Sequence, residues 1–406
     1  MTRVLILALT LLLVPFHLPA QTGPAISKEG SAELSRYLTA MVDGRRVPGL
    51  VALVVSSDRV LYQEAFGKLD VARNTPMPYD AIFRIASMTK PVTSFAIMML
   101  VEEGKLSLDD PISKYLPAFQ NPQVFTKFND ADGKYETRPT RRPMTIRHLL
   151  ANTSGLGYAF SNRTALQLQA ATMKSETELP LVADPGDKWV YGPSTRVLGE
   201  VVEKLSGQSL DTYFQTKIFE PLRMVDTSFV VAPDKHNRVV TTHARMNGKL
   251  VEQPNPATVQ SPVRGDGGLN ATARDYGLFL QMLLNDGRLP HGRLLGERSV
   301  KLMGQNQIGA VVVEEQPAAI PERTRPFPLG AGLDKFGLGF QIASRTEPGM
   351  RSAGSYNWAG IFNTHFWVDP NRRVGVVLLM QVLPFYDESC IELLRGFEQR
   401  MYKNLH

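Results

Sequence analysis

The chain has 406 residues, with 45 Lys and Arg against 39 Asp and Glu and a single cysteine. One cysteine excludes a disulfide framework, so stability must come from the core. The formal charge of +6 is scattered, and the local cluster of Arg138, Arg141 and Arg142, with Lys134 and Glu136 nearby, reads as a solvated loop; no nucleic-acid partner is expected.

Residues 1–20 combine Arg3, an apolar run from Val4 to Val14 and the small residue Ala20. That pattern predicts a signal peptide, too short for a membrane span, and places the mature chain outside the cell or in the periplasm with no stable membrane anchor. Apolar residues at helical spacing (Leu34, Tyr37, Leu38, Met41, Val42) predict a helix over 28–43. Residues 50–56 and 60–66 read as strands of a hairpin turning at Ser57-Asp58-Arg59. A helix is expected from Ser87 to about Glu103, closed by Gly104. From about 92 to 330, helices alternate with long loops; the clearest helices are 146–151, 195–205, 210–218 and 273–285. Segments 120–143 and 307–335, rich in Pro, Gly and charge, are expected to be surface loops. Strands return at about 336–344, 360–368 and 373–381, the last two joined by Asp369-Pro370-Asn371, before a final helix at about 386–404 that buries Cys390. Strands at both ends with helices between predict an α+β fold. One antiparallel sheet is built from both chain ends and flanked by the terminal helices, with a helical lobe inserted into a single domain, 21–406. The active site is expected between sheet and lobe.

Ser87-Met88-Thr89-Lys90 is the candidate chemical centre. A serine hydroxyl needs a base, and a lysine one helical turn away can reach it. Pro91 directly after Lys90 disturbs an otherwise regular helix start, a conflict expected at functional sites. Asp184-Pro185-Gly186 turns the chain into an aromatic stretch ending at Tyr191, a possible proton carrier beside a lysine. Trp358-Ala359-Gly360-Ile361 reads as part of a strand running on into Phe366–Pro370. Gly360 there suggests either a bulge or a close backbone approach to a ligand. With the latter, the N–H of Ile361 joins that of Ser87 as an oxyanion donor. His148, on the segment Met144–Leu156, reads as a structural histidine. The seven histidines show no ligand spacing, and neither a Gly-rich phosphate loop nor a Gly-x-Ser-x-Gly elbow is present; no metal or cofactor is expected.

Six segments together resemble the serine β-lactamase-related hydrolases, nearest the class C β-lactamases and the family VIII carboxylesterases: Phe83–Lys90, Glu102–Pro111, Thr145–Leu156, Pro185–Tyr191, Gly267-Gly268-Leu269 and Trp358–Pro370. The resemblance implies Ser87 as nucleophile, Lys90 as base and Tyr191 as proton shuttle, with Trp358, Ala359 and Gly360 along the substrate. Two positions depart from the lactamase pattern. Pro193 stands where an Asn follows the tyrosine, and Trp358-Ala359-Gly360 stands where Lys-Thr-Gly lies on the late strand. A substrate carboxylate there loses a charge-assisted partner worth about 1.5–3 kcal/mol, and nothing in the sequence places Arg351 to replace it. The expected function is therefore a carboxylesterase acting through an acyl-enzyme on small neutral esters. The alternatives are β-lactam or D-Ala-D-Ala peptide hydrolysis by the same residues, and, third, a relative that acylates without turnover.

Overall fold

The computed structural model describes residues 23–129, 134–254 and 263–406; the predicted signal peptide lies outside these. Helix α1 (Lys28–Asp43) is capped by Ser27, whose hydroxyl accepts from the Gly30 N–H, and buries Leu34, Leu38 and Met41 at the predicted spacing. The chain then enters strand β1 (Gly49–Val55), turns, and returns in β2 (Val60–Asp70), with β3 (Thr75–Pro76) at the edge. Helix α2 (Thr89–Glu102) carries the Ser-x-x-Lys segment into the core. Helices α3 (Ile146–Leu150), α4 (Ser194–Ser206) and α5 (Ala273–Leu284) follow. Strands β4 (Lys335–Phe336), β5 (Gln341–Ile342), β6 (Tyr356–Gly360), β7 (Thr364–Asp369) and β8 (Val374–Leu379) then lead to helix α6 (Glu388–Lys403).

The eight strands form one antiparallel sheet in the order β4-β5-β6-β7-β8-β1-β2-β3. Its centre joins the two ends of the chain, with Val51 opposite Leu379. Strands β1, β7 and β8 are buried at every residue. One face packs beneath α1 and α6 through Leu50, Ala52, Val54, Val376 and Leu378. The other packs beneath α2 and α5 through Val51, Leu53, Val377 and Leu379. A strand covered on both faces reads as an unbroken apolar run, each such Val or Leu contributing about 1.5–3 kcal/mol on burial. The α+β architecture expected from the sequence is the observed one, and Cys390 is buried on α6.

Three details differ from the expectation. The strand expected at 336–344 is a tight hairpin, because Gly339 turns at φ +97° between β4 and β5. The strand running from Trp358 into Phe366 is likewise a hairpin. Trp358 faces Phe366 across β6 and β7, and Asn363 turns between them at φ +58°, a conformation that Asn tolerates. The segment expected to be a loop at 120–143 contains an antiparallel ribbon, Gln123–Phe128 with Tyr135–Pro139, whose exposed polar positions masked its alternation.

Candidate active site

Ser87 sits in a single 3₁₀ turn, Ala86–Met88, that feeds directly into α2. Ala86 holds φ at +44°, a left-handed conformation that L-residues adopt at a cost and that recurs at functional turns. Pro91 causes no break: it lies in the first turn of α2, where an N–H would have no intrahelical acceptor. Lys90 therefore stays helical and is fully buried. Its Nζ lies 3.2 Å from Ser87 Oγ.

Tyr191 arrives from the other lobe. Gly186 turns at φ +87° with its N–H on Thr153 O. Gly192 lets the chain pass Leu156, whose carbonyl would stand 1.9 Å from an added Cβ. The Tyr191 hydroxyl then donates to Ser87 Oγ at 2.7 Å. Pro193 is the cap residue at the start of α4. On the sheet side, Gly360 is paired in regular register with Thr364, so it is not a bulge. A Cβ there would lie 2.2 Å from Ile85 O; the close approach is to the backbone of the Ser87 turn. That contact brings Ile361 and Trp358 to the cavity containing Ser87 and Tyr191. Ala359 lines the same cavity, of about 240 Å³.

Burial pushes Lys90 down to about 7, against the pull of the Asp266 carboxylate, with Arg196 and Arg264 adding to the fall. Burial raises the Tyr191 phenol well above its ordinary value. At neutral pH Tyr191 is thus a proton donor, and Lys90 has a large neutral fraction able to accept. The rings of Tyr191 and Trp358 stand 5.1 Å apart, and Phe327 meets Tyr191 edge-on at 5.4 Å. Arg351 also lines the cavity, with both its Nε and Nη2 on Glu398 at 2.7 Å and its guanidinium 4.5 Å from the Trp367 ring centre.

Residues 34–397 match the Beta-lactamase family. The chain belongs to that family. It is 33% identical to Protein Rv1367c of Mycobacterium tuberculosis, over 84% of this chain and 88% of that protein. It is 28% identical to the lovastatin esterase of Penicillium rubens, over 90% and 96% of the two chains. The fold superposes on a mutant of the simvastatin synthase LovD from Aspergillus terreus with a TM-score of 0.79, at 27% identity over 92% of this chain and 98% of that one. This Beta-lactamase family member is thus an enzyme of the serine hydrolase type, working through an acyl-enzyme as hydrolase or transferase.

Around Lys90 this family member carries four residues that the sequence reading did not single out. Tyr158 accepts from Lys90 Nζ at 3.0 Å and donates to Asp266 Oδ2 at 2.6 Å. The Asp266 backbone carbonyl accepts from the same Nζ at 2.7 Å. Arg196 donates to Asp266 Oδ2 from Nε and Nη2, and its Nη2 also reaches Glu176 at 3.2 Å. Burial alone would raise the Asp266 carboxyl, but Lys90 and Arg196 hold it below the usual range. The available signal was Gly265, ahead of Asp266: a Cβ there would lie 2.2 Å from Thr195 O, marking a segment pressed between helices. His148 is structural, its Nδ1 accepting from Thr145 N–H while the Thr145 hydroxyl accepts from the His148 N–H. Among the described residues, no group of His, Cys, Asp and Glu could hold a metal and no helix is long and apolar enough to cross a membrane.

Proposed function

We propose that the enzyme is a carboxylesterase for small neutral esters, with Ser87 as nucleophile. Lys90 takes the Ser87 proton as Oγ attacks the ester carbonyl. The N–H groups of Ser87 and Ile361 hold the tetrahedral oxyanion, the donors that matter most as negative charge develops on that oxygen. Tyr191, protonated and 2.7 Å from Oγ, gives its proton to the departing alkoxide, and the Lys90 ammonium returns to it, by way of Oγ, the proton taken from Ser87. The same groups then activate the water that cleaves the acyl-enzyme. Trp358 and Ala359 line the bound acyl or alkoxy group, while Gly360, pressed against the Ser87 turn, lies outside the cavity lining.

The observation that carries the preference for neutral esters is the state of the arginines along the cavity. Arg351 is held by Glu398, and Arg345 and Arg395 are held by Glu347. Drawing Arg351 onto a substrate carboxylate would strip buried Glu398 of its partner, and the exposed Arg345 and Arg395 share the one Glu347 carboxylate at the solvent side, while Tyr191, Phe327 and Trp358 offer an apolar wall. The name of the esterase relative agrees with this reading.

The test is hydrolysis of p-nitrophenyl butyrate by the purified chain, with Ser87→Ala as control. Turnover that disappears in Ser87→Ala is expected. Faster hydrolysis of a β-lactam or a D-Ala-D-Ala peptide than of the ester would overturn the assignment. Stoichiometric labelling of Ser87 without turnover would make the chain a binding protein instead.

A further inference from the structure

Neutral lysine has two N–H donors and one lone pair, and only the lone pair can accept the Ser87 proton. Three oxygens surround Lys90 Nζ: Asp266 O at 2.7 Å, Tyr158 OH at 3.0 Å and Ser87 Oγ at 3.2 Å. A backbone carbonyl only accepts. A tyrosine hydroxyl can give or take, but the Tyr158 proton is committed to Asp266 Oδ2, 2.6 Å away. That carboxylate is itself fixed by Arg196, which is braced in turn by Glu176. Tyr158 therefore presents a lone pair to Lys90. Both lysine N–H groups are consumed, one on Asp266 O and one on Tyr158, and Ser87 Oγ is the neighbour left to donate.

We propose that Tyr158 and the Asp266 carboxylate are positioning residues that turn the lone pair of neutral Lys90 onto the Ser87 hydroxyl. The inference rests on the reading of Lys90 as base. The proton balance is simple: the Ser87 O–H bond breaks, an N–H bond forms on Lys90, and the resulting ammonium has three donors for three acceptors already in place. Without the Tyr158 oxygen, the second N–H of neutral Lys90 would turn to Ser87 Oγ and point a hydrogen at the nucleophile. Tyr191 keeps its own role, since its hydrogen bond reaches Oγ from a separate direction and does not touch Lys90 Nζ. The rings of Tyr158 and Tyr191 also flank the amine, at 5.0 and 4.9 Å, so removing one hydroxyl leaves the packing around the lysine in place.

The test is the pH dependence of kcat and KM for p-nitrophenyl butyrate in Tyr158→Phe and Asp266→Asn, beside Lys90→Gln. Circular dichroism and thermal melts identify any variant that fails to fold. Both positioning variants are expected to lose about 10- to 100-fold in the plateau kcat, a part of the roughly 100- to 10,000-fold that general base catalysis supplies, with KM little changed. Their acid limbs should move to lower pH, because Lys90 loses an acceptor in one and a neighbouring negative charge in the other. A wild-type plateau in folded Tyr158→Phe would overturn the proposal, as would a loss of kcat with the acid limb unmoved, which is the mark of a merely structural role. Should Tyr158→Phe not fold, Asp266→Asn decides by the same criteria. Lys90→Gln separates the two levels. If it is inactive while Tyr158→Phe is fully active, only the positioning role fails; if it retains wild-type activity, the base assignment fails and the positioning role with it.

Discussion

At the scale of single residues, the proposed division of proton work between Lys90 and Tyr191 rests on burial, which moves the two groups in opposite senses. Burial disfavours the lysine cation and brings Lys90 down to about 7; it disfavours the phenolate and lifts Tyr191. Protonated Lys90 cannot accept from Ser87. The rate of ester hydrolysis is therefore expected to fall as pH drops through about 7 and to persist on the alkaline side beyond the ordinary tyrosine range. A profile of kcat/KM against pH checks this, and an acid midpoint near 4, characteristic of a carboxylate base, would refute it. Ser87, Lys90 and Tyr191 could be picked out as candidates from the sequence because each lies in a short motif with fixed spacing or a turn signal. Tyr158 and Asp266 could not, since nothing local distinguishes a tyrosine after Ser-Gly-Leu-Gly from a packed aromatic. Their significance arises only when segments 108 residues apart meet.

At the scale of elements, the site depends on how closely β6 approaches the Ser87 turn. Gly360 has no room for a side chain: a Cβ would stand 2.2 Å from Ile85 O and 2.4 Å from Thr364 Oγ1. Gly360→Ala is expected to push β6 away from the turn, costing about 1–3 kcal/mol of stability as an overpacked position. It should lower kcat at least about 10-fold, because displaced oxyanion donors act mainly on the transition state. Denaturant melts and kcat read the two effects separately, and an Ala variant with wild-type kcat would show that the contact does not position Ile361. The sequence left Gly360 as either a bulge or a close approach to a ligand, whereas its close approach is to the backbone of the Ser87 turn. Strand partners are likewise hidden wherever a turn uses Asn363 or Gly339 rather than a Pro-Gly pair, which is why two hairpins read as continuous strands. The helices were easier to place, since the burial of Leu34, Leu38 and Met41 on one side of α1 follows a period written in the chain itself.

At the scale of the whole molecule, α6 is tied to the segment entering β6 by Arg351 and Glu398, which is buried and accepts from Arg351 at its backbone N–H as well as its side chain. Glu398→Ala leaves the partly exposed Arg351 guanidinium without its charge-assisted hydrogen bonds, and a loss of about 1.5–3 kcal/mol is expected. An equilibrium unfolding curve measures it, and a variant within about 1 kcal/mol of the wild type would mean that water reaches the pair. The overall architecture was legible because strands cluster at the two ends of the sequence. The pairing of β1 with β8 was implied by that clustering, though its register was not. That pairing has a consequence for synthesis. Val51 waits for Leu379, so the emerging polypeptide cannot close its central sheet until nearly all of it has left the ribosome. Until then β1, apolar on both faces, presents an unpaired edge, and such late, non-local pairings fold slowly and leave chains vulnerable to self-association. Yield in a recombinant host should thus depend more on how long nascent chains are shielded than on the stability of the finished enzyme.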